Sequence, residues 1–177
     1  MQLFWTGGYH ATSTREIVRA LDIGRQSVYN AFGDKEDLYH RCILRYQETV
    51  LKQRRNDIFS SGAGRREIVK YLAAVVEFLD GDPQHRGCFL FNSLAELSGS
   101  DPFVLSEGQA YLEQTKKCLE QAIRTGLKRR EISQCADPGA VAASIMATEI
   151  GMSLASKTRM DRSTLVDMAS TALQPLY

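Results

Sequence analysis

The sequence has little proline, almost no net charge and no long uninterrupted apolar stretch. Only four of its 177 residues are proline, and alternating β-branched segments are scarce, which favours helices over a β-sheet. Hydrophobic residues make up 44% of the chain. This is enough for a buried core and argues against global disorder. We therefore predict an all-α globular protein.

The near absence of net charge bears on nucleic-acid binding. The chain holds 22 Lys and Arg against 21 Asp and Glu, a net charge of +1, and its first 45 residues hold six against five. Nonspecific DNA binding scales with the number of phosphates that basic residues neutralise. We therefore expect nonspecific DNA binding to be weak here. The low charge does not argue against sequence-specific binding by a dimer.

Paired cysteines and catalytic signatures are also missing. The four cysteines show no C-x-x-C pair and no His/Cys metal spacing: Cys42, Cys88, Cys118 and Cys135. We predict reduced cysteines in a cytoplasmic protein that needs no metal and no cofactor, with a redox or metal-sensing role as the alternative. The chain contains no G-x-S-x-G, phosphate loop or H-E-x-x-H, and its three histidines are far apart. We therefore do not expect an enzyme.

No segment carries the pattern of a signal peptide or of a membrane span. The longest nearly uncharged run, residues 140–156, contains Glu149 and is shorter than the roughly 20 residues that a spanning helix needs. The start of the chain has only a short apolar stretch before two glycines. We expect residues 140–156 to form a buried helix and the protein to have no membrane partner.

Residues 13–38 carry the pattern of a helix-turn-helix. Ser13 and Glu16 form an S-x-x-E capping box that begins the first helix, and the turn at residues 22–24 ends it. We expect Ile17, Leu21 and Ile23 to fill the small core between the two helices. A second helix over residues 25–32 follows, with Val28 and Phe32 on its buried side, and the D-x-x-D sequence of residues 34–37 caps a third.

Polar side chains occupy the exposed side of that second helix. Arg can bond guanine bidentately, and Gln or Asn can bond adenine, for about 1–3 kcal/mol of discrimination per pair. Such contacts fall in the first turn of a recognition helix, while neighbouring hydroxyl and ammonium groups meet phosphate. The alternative is an ordinary solvated surface. We predict that the DNA contacts come from Thr14, Arg25, Gln26, Ser27, Tyr29, Asn30 and Lys35.

Further positions complete a pattern that extends over the first 45 residues. It comprises L-F-x-x-x-G-Y over residues 3–9, Thr12-Ser13, Ile17, Ile23, Ser27-Val28-Tyr29, Phe32 and K-E-x-L over residues 35–38. With this pattern the chain resembles the TetR family of one-component regulators. The resemblance implies an all-α, homodimeric repressor of a palindromic double-stranded DNA operator, released by a small-molecule effector. It implies a three-helix DNA-binding domain over residues 1–45 and a helical ligand-binding and dimerisation domain over 46–177.

The sequence departs from the family pattern at four places. Asp22 stands where the family usually has Gly, Gly24 where it usually has Ser, and Asn30-Ala31 where a His-aromatic pair is frequent. The loss of Ser removes an N-cap side chain that stabilises a helix by up to about 1 kcal/mol, although Gly is itself an acceptable N-cap residue. The family's first helix normally begins a few turns before Leu3, so we expect this domain to show only the end of that helix.

The remainder of the chain reads as a series of helices that could enclose a ligand. Helical patterns cover about 34–59, 65–80, 87–98, 101–129, 137–160 and 162–173, and two Asp-Pro pairs mark helix starts. Small-molecule sites are usually apolar cavities with a few polar groups. Each candidate for such a lining can equally be plain core. The candidates are Tyr71, Val75, Phe78, Phe89, Asn92, Glu96, Tyr111, Thr115 and Thr148.

Residues 140–156 also suggest a subunit interface. Their Ala, Ser, Gly and Met side chains allow close helix approach, and with the last helix they would form a four-helix interface, as the resemblance implies. Burial inside one subunit is the alternative. Glu149 either pairs at the interface, which we favour, or faces a ligand. The predicted function is ligand-responsive transcriptional repression; the alternative is a small-molecule or thiol sensor or interaction protein of the same fold with impaired DNA binding.

Overall fold

The computed structural model describes residues 1–133 and 137–177. Within these residues the chain is helical and contains no strand, which confirms the all-α prediction. Cys135, one of the four cysteines considered above, lies outside the described residues.

Four short helices form the N-terminal part: α1 (Gln2–Gly7), α2 (Thr14–Leu21), α3 (Arg25–Phe32) and α4 (Lys35–Tyr46). The Ser13 hydroxyl accepts from the Glu16 amide, and the Glu16 carboxylate accepts in return from the Ser13 amide. Asp34 caps α4 in the same way. Both predicted capping signals are confirmed, and together they set where α2 and α4 begin.

The turn between α2 and α3 differs from the prediction in its packing. Leu21 and Ile23 are each 42% exposed, whereas Ile17 and Val28 are buried. The prediction that Leu21 and Ile23 fill the small core was wrong. Asp22 adopts the left-handed conformation, φ 51° and ψ 37°, so the chain reverses there. Leu21 lines an open groove of about 250 Å³ between the four helices.

The predicted helix over residues 34–59 is interrupted once. After α4 the backbone makes a π-helical turn over Gln47–Leu51 before continuing as α5 (Lys52–Phe59). A π turn adds a residue to the helical repeat and rotates everything that follows it. Here it turns Arg54 and Arg55, in a strongly charged stretch, into the interior, where they are 9% and 8% exposed.

The helices α6 (Arg65–Asp80), α7 (Phe89–Leu97), α8 (Pro102–Lys128), α9 (Pro138–Ser156) and α10 (Arg162–Leu173) complete the body, followed by a 3₁₀ turn over Gln174–Leu176. Asp101 and Asp137 cap α8 and α9, with Pro at the first helical position, as the two Asp-Pro pairs predicted. α9 is long and apolar enough to cross a membrane by length and composition alone. In the fold it packs between α8 and α10.

Two hydrophobic cores hold the helices together. One joins α6, α8, α9 and α10 within the body, with the 3₁₀ turn at its end. The other runs from α1, α2, α3 and α4 into α7 and the first half of α8, and includes Trp5, Tyr39, Phe89 and Tyr111. The predicted domain boundary near residue 45 therefore falls within a continuous helical connection, and the second core spans it.

The left-handed conformation of Asp22 generates a stability prediction. Glycine adopts this conformation without steric cost, whereas an L side chain pays for it. We expect Asp22→Gly to raise the free energy of unfolding by about 1 kcal/mol, measured by urea denaturation. Asp22→Ala is the matched control and should be no more stable than the parent chain. A glycine variant no more stable than the alanine variant would contradict the assignment.

Candidate nucleic-acid interface

α3 presents a continuous polar surface to solvent. Arg25, Gln26, Ser27 and Asn30 are exposed and Tyr29 is half-buried. Val28 is buried and is the residue that anchors the helix. The structure therefore brings five of the predicted DNA contacts together on one exposed side of one helix.

Hydrogen bonds within α3 organise this surface. The Arg25 Nη2 donates to the Tyr29 hydroxyl at 3.2 Å, and the Gln26 Nε2 donates to Asn30 Oδ1 at 2.9 Å. The hydrogen bond from Arg25 lowers the pKa of Tyr29. Both pairs are four residues apart, the spacing at which helical side chains meet. They hold their four members side by side along the helix.

The two predicted phosphate anchors flank α3. Thr14 is the first residue of α2, and a hydrogen bond to it contributes to the lowered pKa of Tyr29. Lys35 is the first residue of α4, and its Nζ lies 4.2 Å from the centre of the Tyr9 ring. Each stands at a helix N-terminus, where backbone amides also favour an anion. The seven predicted residues thus form one surface, called the α3 surface below.

Several polar contacts tie this N-terminal part to the body, among them the buried bond from the Tyr39 hydroxyl to Ser93 at 2.7 Å and the following three. Glu96 of α7 accepts hydrogen bonds from the backbone amides of Tyr9 and His10 at 2.9 and 2.8 Å. His40 of α4 lies 2.7 Å from Asp101, the N-cap of α8. The third is the Trp5 indole, which donates to the carbonyl of residue 87 at 3.1 Å. Since sequence spacing does not bring these partners together, none of the three contacts was predicted.

The predicted pocket residues divide into two groups. Tyr71, Val75, Phe89, Tyr111 and Thr115 are buried, with Phe78 packed against them.

The other three have partners elsewhere. Glu96 is exposed and holds the amides named above, and Thr148 bonds to the Ser144 carbonyl of its own helix. Asn92 donates to the Arg86 carbonyl and accepts from Lys157. Thr148 thus lies apart from the buried group, whereas Asn92 and Glu96 line a groove of about 380 Å³ together with Phe89.

Glu149 lies at the centre of the buried group. Its carboxylate accepts from the Tyr71 hydroxyl at 2.5 Å and from the Tyr111 hydroxyl at 2.9 Å, and one oxygen lies 3.6 Å from Arg54 Nη2. Burial, with the nearby carboxylate, raises the pKa of both tyrosines well above the usual value. The favoured interpretation of Glu149 as an interface residue was wrong, because the residue is only 1% exposed within a single chain and so has no surface to offer a second one.

Cys88 and Cys118 are poorly placed for thiolate chemistry. Cys88 is 1% exposed, and burial raises the pKa of its thiol. Burial also raises the pKa of the Cys118 thiol. Because the thiolate is the reactive form, neither position favours a thiol sensor.

The two amides held by Glu96 generate a second prediction. Glu96→Ala leaves them without their charged acceptor, and we expect the free energy of unfolding to fall by about 1–2 kcal/mol. Amide hydrogen exchange at Tyr9 and His10 should accelerate as well. Glu113→Ala, which removes only an exposed pair with Lys117, should cost less than about 0.5 kcal/mol. Equal costs for the two variants would show that Glu96 does not hold the N-terminal part in place.

Comparisons with known sequences agree with this architecture. Residues 1–42 match the family described as "Bacterial regulatory proteins, tetR family", and residues 64–173 match "Tetracyclin repressor-like, C-terminal domain". The transcriptional repressor ComR of Escherichia coli is 24% identical over 175 residues, which cover 98% of this chain and 83% of ComR. The transcriptional repressor DhaR of a Mycobacterium species is 25% identical over 180 residues, covering 99% and 87%.

Comparisons with solved structures show the same fold. A cysteine mutant of the TetR-family regulator CifR, complexed with 26-bp double-stranded operator DNA, has a TM-score of 0.83 at 23% identity, covering 97% of this chain and 90% of CifR. A regulator from Chloroflexus aurantiacus has a TM-score of 0.84 at 20% identity, covering 97% and 86%. The chain belongs to the TetR family and is a DNA-binding transcriptional regulator rather than an enzyme.

Proposed function

We propose that this protein is a homodimeric, effector-controlled repressor that acts in the cytoplasm and binds a palindromic operator through α3. The observation that carries the proposal is the α3 surface, in which Arg25, Gln26 and Asn30 stand exposed on one helix. These are the side chains that bond bidentately to purine edges in the major groove.

A dimer follows from the geometry of such recognition. One α3 helix reads only a few base pairs, whereas two copies about 34–36 Å apart read two half-sites on one side of the duplex. The exposed apolar residues Ile150 and Leu154 of α9 and Val166 of α10, exposed by 40%, 68% and 41%, offer a surface for a second copy. We propose that these two helices and their counterparts form a four-helix interface.

Repression and release are the remaining parts of the proposal. Two of the similar proteins, ComR and DhaR, are named transcriptional repressors, which supports the same sign of regulation here. A small molecule bound in the body would favour a conformation in which the two α3 helices are wrongly spaced for the operator. It would thereby shift the population of dimers away from DNA.

The α3 surface is tested by operator binding. We expect Arg25→Ala and Tyr29→Ala each to weaken binding to duplex DNA from upstream of the protein's own gene by about tenfold to a hundredfold, because each removes contacts worth about 1–3 kcal/mol. Fluorescence anisotropy at fixed salt measures the affinity. Arg66→Ala on α6 removes the same charge far from α3 and should leave affinity unchanged. Unaltered specific binding by both α3 variants would overturn the assignment of the α3 surface.

The interface is tested by the oligomeric state. We expect Leu154→Glu to convert the dimer into monomers in sedimentation experiments, because the charge would be buried against an apolar partner. Leu105→Glu is the control, since Leu105 is also exposed, by 37%, but lies on α8. Dimers that persist in Leu154→Glu would place the interface elsewhere.

A further inference from the structure

Unpartnered buried polar atoms cluster at one place in the described part of the chain. They are the hydroxyl of Tyr46, the Nε and Nη2 of Arg54, and the Nε of Arg55. The three residues are 0%, 9% and 8% exposed. A buried donor without an acceptor costs about 1–3 kcal/mol, so a cluster of them requires an explanation such as a bound ion or ligand.

The charges of this cluster do not balance. Among the described buried side chains, Glu149 is the carboxylate that pairs with Arg54, and each of its oxygens already accepts a hydrogen bond from a tyrosine hydroxyl. The 3.6 Å separation between Glu149 and Arg54 Nη2 is an ion pair without a hydrogen bond. One negative charge beside two positive ones leaves room for one more anion.

Arg55 is held in position but not neutralised. Its Nη1 donates to Thr115 Oγ1 at 3.2 Å and, more weakly, to Gln114 Oε1 at 3.5 Å. The faces of its guanidinium group are covered by the rings of Phe59 and Tyr111, at 4.8 and 4.4 Å. Both hydrogen-bond partners are neutral, so the plane of the group is fixed while its charge stays available.

A groove connects Arg55 with solvent. It has a volume of about 400 Å³ and is lined on one side by Gln47, Glu48, Lys52, Arg55, Asn56 and Phe59, and on the other by Gln114 of α8. Glu48 is paired with Lys52, so the charge of Arg55 is the one in the groove without an acidic partner among its hydrogen bonds to described residues. This size lies within the range of small-molecule sites. The Phe59 ring offers an apolar wall beside the charged base.

We propose that this groove binds a small organic carboxylate with an apolar or aromatic portion, and that this molecule is the effector. The inference rests on the proposed function, which it completes. The carboxylate would accept from Arg55 Nε, in the planar geometry that guanidinium groups provide. Arg54, the preceding residue of α5, adds positive potential, and the apolar portion would lie against Phe59.

The position of the groove links it to α3. Arg55 and Lys52 stand on α5, which continues through the π turn into α4 without a linker. Gln47, in the π turn, donates to Glu107 of α8 at 2.7 Å. A ligand drawn between α5 and α8 would change the register of the π turn and thereby the direction of α4, which carries the DNA-binding helices.

The test compares carboxylates with their neutral amides. We expect benzoate, phenylacetate or hexanoate at millimolar concentration to raise the Tm of the full chain and to release it from operator DNA, whereas benzamide, phenylacetamide and hexanamide do neither. Arg55→Met should weaken carboxylate binding by about tenfold or more in calorimetric titration. Arg55→Lys retains the charge but not the planar group. Its affinity for the carboxylates should lie between those of the parent chain and of Arg55→Met.

The control variant is Arg124→Met, which removes a similar charge from the exposed side of α8 and should bind the carboxylates as the parent chain does. Absence of binding by all three carboxylates, or undiminished binding by Arg55→Met, would overturn the proposed site. In that case operator binding by the parent chain would still stand as evidence for the proposed function. Carboxylate binding without release of operator DNA would overturn the effector role.

Discussion

The buried carboxylate of Glu149 constrains the body of this protein. A buried charge is tolerated only when it is paired and hydrogen-bonded, and the partners of Glu149 come from three other helices: Tyr71 from α6, Tyr111 from α8 and Arg54 from α5. These four helices must therefore meet at one point. Arg54 reaches that point because the π turn rotates α5 after α4.

The same constraint couples the body to the DNA-binding domain. α4 belongs to that domain and leads through the π turn to Arg54 and Arg55, so one continuous helical segment joins the DNA-binding domain to the surroundings of Glu149. The second core and the contacts of Glu96 and Asp101 reinforce this connection. The N-terminal domain is thus held at a defined angle to the body, which is the property that the proposed dimer needs for its two α3 helices to match operator half-sites.

Local sequence signals predicted well where the helices begin, but they predicted less well which residues are buried. The capping residues Ser13, Asp101 and Asp137 begin helices where the sequence indicates, because an N-cap acts on amides two or three residues away. Leu21 and Ile23 are exposed although the apolar pattern predicted burial, because a pattern cannot show whether another helix covers that side. The hydrogen bonds of Glu96 and Thr148 were not predicted for a related reason: a polar residue in an apolar stretch has several possible partners.

The sequence by itself determined the all-α class, the helix-turn-helix and the exposed polar residues of α3, since these depend on periodicity, caps and turns within a few residues. Only the tertiary structure decided that Arg54 and Arg55 are interior residues and that Glu149 pairs within its own chain. A charged stretch normally lies in solvent, and a single π turn was enough to reverse that expectation. Burial of charge depends on partners distant in sequence, and only the packed helices bring those partners together.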